Sequence, residues 1–313
     1  MKYNVKAILY KSLSKLNKIY FYHTVKNILK TPPINYQHDK SVVIITMLSH
    51  DAINMYLVAI KSFLKNFGYG SIEVIDDGTL TKYDIAVLEY HVPEITFSNA
   101  NHVDTLSCPT YISWKRLFRI AEITKKSYVI QLDSDTVSLA ALINIHDKVQ
   151  ANEGFLIGSS RWEQGVDVGF LNKIVNYWNH SHVQPSAEMI FKDIEFFKDG
   201  TKYLRACAGF SGYPKNFAST DEIEKLSAQI EDKIGKKWHE WGSEQTATMC
   251  LISKTPNASV LPWPKYQNFM EPLAKDSINS ASFIHFIGSN RFKNSTYSVQ
   301  TKKIIRGLIS MYR

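Results

Sequence analysis

Short apolar runs alternate with stretches of helical spacing along the first half of the chain. Val42–Leu48 (VVIITML) is apolar almost throughout and β-branched at its start, which predicts a buried strand. Ile53, Leu57, Ile60 and Leu64 then recur at steps of four and three, predicting a helix over 51–67 that stops at Gly68 and Gly70. A second strand over 71–75 runs into Asp76-Asp77-Gly78. A helix over 81–90, a short strand over 95–97, a helix over 111–123 and a strand over 128–132 follow. Such alternation predicts βαβ units and an α/β fold with a mostly parallel, Rossmann-like sheet flanked by helices. In sheets of this kind ligands collect at the carboxyl ends of the strands. Two acidic groups sit at such ends: Asp76-Asp77, and Asp133 with Asp135 in YVIQLDSDTVSL.

The second half alternates less cleanly. A strand is expected over 155–158, helices over 168–178 and 243–253, and a late strand over 283–287 that ends at Gly288. Leu261-Pro262-Trp263-Pro264 reads as a rigid aromatic loop.

Charge changes the picture at the amino terminus. Residues 1–38 hold seven lysines and no acid; 37 basic residues less these seven leave 30 against 29 acidic in the body. A nearly neutral body argues against a broad nucleic-acid surface. Lysines interrupt every apolar stretch of the leader, so it is no secretory signal. Val5, Leu9, Leu13, Leu16 and Tyr20 fall on one helix face. That face either packs on the body or, with residues 1–30, forms a peripheral anchor on an anionic leaflet. Thr31-Pro32-Pro33 ends the helix and begins a linker. The expected division is leader and linker over 1–38 and one domain over 39–313, with halves at 39–150 and 151–313. Cys108, Cys207 and Cys250 are few and scattered, which suits a reducing compartment rather than a disulfide scaffold. No apolar run reaches about 18 residues, so no membrane-spanning helix is expected.

Asp133 and Asp135 repel one another if left bare. One reading makes them a surface turn, with Ser134 and Thr136 capping the next helix. A second takes the strand and DSDT as the nucleophile motif of haloacid dehalogenase-like phosphatases, which also needs a downstream lysine and a later acidic pair. The third makes them the cation-binding pair of a GT-A-type nucleotide-sugar glycosyltransferase. Mg²⁺ and Mn²⁺ prefer oxygen ligands and act as Lewis acids for a departing diphosphate.

Further motifs favour the third reading. Arg116-Leu117 stands in the helix before Asp133, and His285-Phe286-Ile287-Gly288-Ser289-Asn290-Arg291 closes the late strand. With the DxD these resemble the retaining family-eight glycosyltransferases, the group of bacterial lipopolysaccharide galactosyltransferases and glycogenin. The resemblance implies a GT-A-like fold with a donor half and a loop-rich acceptor half. It implies Asp133, Asp135 and His285 as ligands of Mn²⁺ or Mg²⁺, with Arg116 and Arg291 on the donor diphosphate beside Ser134 and Gly288. Arg291 stands where the family carries lysine. Cys207-Ala208-Gly209-Phe210 is similar to the family's Asn-Ala-Gly acceptor-side loop, placing Ala208 and Gly209 there, but without the asparagine. Glu244-Gln245 is similar to its Asp-Gln pair beside the reacting sugar, the catalytic position. Asp76 or Asp77, with Thr46 and Ser49 in the neighbouring loop, is expected to hold the nucleoside.

Each residue also has a plainer reading. His285 alone reads as a satisfied core histidine, Arg116 as a solvated helix charge, and Glu244 as a complement to a helix dipole. Trp238 and Trp241 read as core or rim before sugar platforms. The expectation is a metal-dependent glycosyltransferase that uses a nucleotide-diphosphate sugar, foremost a UDP-sugar. Its acceptor would be a glycan or lipid-linked molecule in cell-surface polysaccharide or lipopolysaccharide synthesis. It would work in the cytoplasm, peripheral on the inner membrane face, with no nucleic-acid partner. A non-catalytic nucleotide-sugar binder is the alternative from another class.

Overall fold

Strand β1 (Val42–Leu48) is buried on both sides because its side chains serve two cores. Val42 and Ile44 join the layer under helix α2 (Ile53–Phe67), whereas Ile45 joins the layer under α4 (Ile112–Thr124). The computed structural model describes residues 2–270 and 275–310, with side chains from residue 11 onward except at 275, 276 and 289. Among these, ten strands form two sheets. The larger runs β3 (Thr96–Asn99), β2 (Ser71–Asp76), β1, β4 (Tyr128–Leu132), β7 (Cys207–Tyr213), β6 (Phe155–Ile157), β8 (Ser259–Val260). Every pairing in it is parallel except those made by β7, which lies antiparallel between β4 and β6. The smaller sheet places β10 (Phe283–His285) between β5 (Thr136–Ser138) and β9 (Tyr266–Asn268).

The expected elements of the first half stand within a residue or two of their predicted bounds. Gly68 ends α2 at φ +95°, a left-handed conformation that glycine tolerates. Helix α3 (Lys82–His91) starts from a capping box between Thr81 and Asp84. Beyond β5, helices α5 (Ile143–Ala151), α6 (Val168–Val175), α7 (Val183–Glu188), α8 (Thr220–Ile234) and α9 (Ser243–Lys254) build the second half. α10 (Lys275–Asn279) and α11 (Thr296–Ser310) complete it.

Two expectations are corrected. Cys207-Ala208-Gly209-Phe210 is not a loop but the start of the fully buried β7. Thr136 does not cap a helix: it opens β5, and its Oγ1 donates to the Asp133 carbonyl at 2.8 Å.

The leader forms helix α1 (Lys2–Val25), whose far end belongs to the core. Phe21 stacks on Tyr297 with centroids 4.1 Å apart, and Phe21, Val25 and Ile28 are buried. The expected apolar face is a different one. Leu13, Leu16 and Tyr20 stay 54%, 62% and 43% exposed, beside Ile19, so they do not pack on the body. The side chains of Val5 and Leu9 lie outside the described residues. No helix among the described residues is long and apolar enough to cross a membrane.

Candidate functional site

The link between β4 and β5 carries the acidic pair from one sheet to the other. Asp133 N–H donates to Gly209 O on β7 at 2.9 Å, pinning the first aspartate to the large sheet. β10 pairs antiparallel with β5 so that His285 lies opposite Thr136, and Phe286 N–H donates to Asp135 O at 2.9 Å. The two registers bring together side chains about 150 residues apart in sequence. Ligand atoms of Asp133, Asp135 and His285 lie within 4.8 Å of one another.

Bases answer the acids at each point. Arg116, reaching in from α4, donates through Nη1 to Asp133 Oδ1 at 2.9 Å and through Nη2 to Glu244 Oε1 at 3.2 Å. Arg291 bonds Asp135 through Nη2, while its Nε donates to Phe286 O at 3.1 Å. His285 Nε2 stands 3.2 Å from Asp135 Oδ1. Burial opposes ionisation of Asp135, but His285 and Arg291 outweigh it and hold the carboxyl down to about 2. Burial pushes Asp133 up, against the pull of Arg116. Burial also resists charge on His285, yet Asp135 keeps the imidazole well above its usual range.

The cluster opens into a cavity of about 470 Å³. Gln245, Arg205, Trp162 and Trp241 line its other side. Arg205 is braced by the buried Glu188, with Nε 3.0 Å from Oε1, and lies over the rings of Trp162 and Trp178 at 5.2 and 4.6 Å. Trp241 is 65% exposed at the rim, whereas Trp238 is fully buried and belongs to the core.

The expected site residues divide by place. Asp133, Asp135, His285, Gly288, Arg291 and Gln245 line the one cavity. Arg116 reaches it through Asp133, and Ser134 sits half-buried between the aspartates. Glu244 does not face the cavity: it is 4% exposed behind Arg116, and burial pushes its carboxyl up. It stands as a counter-ion of Arg116. Ala208 and Gly209 lie beneath the cluster, and the Ala208 carbonyl accepts from Gln131 Nε2 at 2.7 Å. Thr46 is buried and donates its hydroxyl to Leu132 O at 2.6 Å, which ties β1 to β4. Ser49 stands half-buried past the end of β1.

Asp76, the last residue of β2, and Asp77 just past it lie two strands away from β4 and Asp133. Asp76 Oδ1 accepts from Gly78 N–H and Leu80 N–H at 2.8 and 3.1 Å, and Asp77 Oδ1 from Thr79 N–H at 3.0 Å. Asp76 lines a second cavity of about 480 Å³ with Phe97, Asn99 and Arg119. Arg205, Trp162, Asn268 and Gln184 line the first cavity but escaped the sequence reading. Arg205 had one visible signal, a lone arginine two residues before the Cys-Ala-Gly segment.

No family model matches the chain, and no curated protein does. Solved structures do. The bifunctional glycosyltransferase WbbM superposes at TM-score 0.50 and 14% identity, over 89% of this chain and 53% of its own. The galactosyltransferase LgtC, solved with donor and acceptor sugar analogues, gives TM-score 0.49 at 14% identity, over 85% and 95%. The glycosyltransferase GlyE of Streptococcus pneumoniae gives TM-score 0.49 at 11% identity, over 89% and 63%. The chain thus spans about half the length of WbbM and under two thirds of GlyE. With its mostly parallel sheet, the chain has a GT-A-type glycosyltransferase fold.

Proposed function

We propose that this chain transfers a sugar from a nucleotide-diphosphate donor, foremost a UDP-sugar, to a glycan or lipid-linked acceptor, with retention at the anomeric carbon. The observation that carries this reading is the Asp133–Asp135–His285 cluster at the mouth of an open cavity. Two carboxylates and an imidazole suit Mn²⁺ better than the strictly oxygen-seeking Mg²⁺. A divalent cation held there would supply Lewis-acid neutralisation of the leaving diphosphate.

The protein's own residues provide the rest. Asp76 lies two strand spacings from the cluster, roughly 10 Å, a span that suits a nucleoside at β2 and its diphosphate at β4. Arg116 and Arg291 are already poised on the aspartates and can turn towards diphosphate oxygens as charge grows there. Gln245 faces the cavity between the cluster and the tryptophan rim, where it can orient the sugar. Among the described residues, Asp133 and Asp135 are the only carboxylates lining that cavity. An inverting transferase needs a carboxylate base near the acceptor hydroxyl. Glu244 is turned away from that role, which favours retention.

The phosphatase reading draws no support here, because the first aspartate is engaged by Arg116 and no lysine lines the cavity among the described residues. A binder without turnover would share the cluster. The test is turnover of a panel of nucleotide sugars with Mn²⁺ and with chelator. Donor consumption that needs the metal and disappears in Asp135→Ala supports transfer. Binding without turnover leaves the binder, and normal turnover of Asp135→Ala in chelator would falsify the metal assignment.

The exposed Leu13, Leu16, Ile19 and Tyr20, with Lys11, Lys15 and Lys18 also exposed on α1, support a peripheral anchor on an anionic inner leaflet. That placement would suit a cytoplasmic enzyme acting on lipid-linked acceptors in surface polysaccharide or lipopolysaccharide synthesis.

A further inference from the structure

A histidine can serve as a metal ligand through one ring nitrogen only if the proton sits on the other. His285 directs Nε2 at Asp135 Oδ1, 3.2 Å away, and Nδ1 at Asn268 Oδ1, 3.0 Å away. Asn268 lies beside His285 in the parallel pairing of β9 with β10, so the contact is built into the sheet register. The amide cannot turn round without loss. Its Nδ2 donates to Gly158 O at 3.1 Å, and a backbone carbonyl only accepts. Asn268 must therefore present its oxygen to His285, and an oxygen at 3.0 Å requires Nδ1 to be the N–H. The Cys207 thiol, 3.6 Å from Nδ1, has Gln245 Oε1 within 3.5 Å as its own acceptor, so it need not compete for that nitrogen.

We propose that Asn268 is the positioning residue that fixes the tautomer of His285, keeping the Nε2 lone pair on the side of Asp133 and Asp135. The chain Gly158 carbonyl, Asn268 amide, His285 imidazole then runs as one hydrogen-bonded relay from the end of β6 to the cluster. It gives the site the outer-shell acceptor that metal-bound histidines generally carry, whose loss typically weakens metal affinity by about 10–100-fold. The inference rests on the metal reading of the cluster, and its test separates the two.

The experiment titrates Mn²⁺ into the full chain and follows the free-ion electron paramagnetic resonance signal. Spin-echo modulation then reports the imidazole nitrogen bound to the ion. Three proteins are compared: the wild type, Asn268→Leu, and Asn268→Asp, which keeps an acceptor opposite Nδ1. Asn268→Leu should weaken Mn²⁺ binding about 10–100-fold and lose the nitrogen modulation. Asn268→Asp should retain both. Should Asn268→Leu fail to fold, Asn268→Ser, too short to reach Nδ1, makes the same comparison. Unchanged affinity and modulation in a variant that lacks the acceptor overturns the proposal. So does an Asn268→Asp protein as weak as Asn268→Leu with both folded, because the acceptor then is not what matters. A wild type that binds no Mn²⁺ overturns the metal reading itself and removes the ground for the inference.

Discussion

The ring of His285 lies against the backbone of Gly209, so closely that a Cβ at 209 would come within 2.2 Å of Cε1 and 2.7 Å of both ring nitrogens. The obstacle is a buried ring wedged between strands, not the loose end of a flexible chain. Gly209 thus works from below: it makes room for the third member of the cluster.

Replacing Gly209 with Ala should displace His285 while leaving the sheet paired. We expect Mn²⁺ affinity to fall at least about tenfold, as for lost support of a metal-bound histidine. Isothermal titration of Mn²⁺ beside a circular dichroism melt checks this. Unchanged affinity would mean that the ring can shift freely.

Glu244 gives the second prediction. Its carboxylate holds Arg116 from the side away from the cavity, so Glu244→Gln keeps the hydrogen-bonding geometry and removes only charge. Measurable activity should survive, well short of the ~10²–10⁴-fold loss that follows removal of a general base. Proton NMR of the product's anomeric centre should report the donor's own configuration. A loss in the general-base range together with an inverted product would overturn both readings.

A third prediction concerns acid stability. Lys61 Nζ donates to Thr31 Oγ1 and Pro32 O at 2.7 and 2.6 Å and sits 3.0 Å from His91 Nδ1. Burial, with Lys61 adding to it, lowers His91 to about 4. Between that value and the unfolded value of about 6.5 the unfolded chain binds more protons, so stability falls as pH drops through this window. His91→Gln, which can still accept from Lys61, should lose less stability over the same interval in denaturant melts. Parallel pH profiles for the two proteins would contradict this.

The leader supplies a fourth. Deleting it would also strip Phe21, Val25 and Ile28 from the core, where one large-to-small change costs about 2–5 kcal/mol. Point changes on the exposed face avoid that cost. The full chain should float with anionic vesicles in low salt and less so in high salt, while Leu16→Glu with Ile19→Glu should remain behind. Equal flotation of both proteins would dismiss the anchor.

Much of the first half was legible because a parallel strand buried on both faces appears as an apolar run, as β1 does, and β2 and β4 run straight into Asp76-Asp77 and Asp133. Strand β7 was not. Its Cys-Ala-Gly-Phe-Ser-Gly looks like a loop because small residues are poor strand formers. Here they are small for a tertiary reason: a Cβ at 212 would meet Phe155 at 2.2 Å and the Tyr128 hydroxyl at 2.3 Å. Nothing local in sequence reveals those rings. Helix α8 carried a readable signal, the capping box of Ser219 with Glu222, that was passed over. The DxD, His285 and both arginines stood out through motifs, but the contacts of Glu244 and Asn268 follow from tertiary packing and strand register. Arg116 and Glu244 are 128 residues apart, and their meeting follows from how α4 and α9 pack.

The pairing of Arg116, Arg291 and His285 with Asp133, Asp135 and Glu244 has a further consequence. Basic side chains face the carboxylates at each contact, so the polypeptide itself offsets the repulsion between Asp133 and Asp135. Folding need not wait for a cation to quench repulsion, unlike small zinc domains whose binding energy is their folding energy. A divalent ion held there would add positive charge to this arrangement, and the diphosphate of a donor would offset it. Ion and donor are then best accommodated together, each lowering the electrostatic cost of the other.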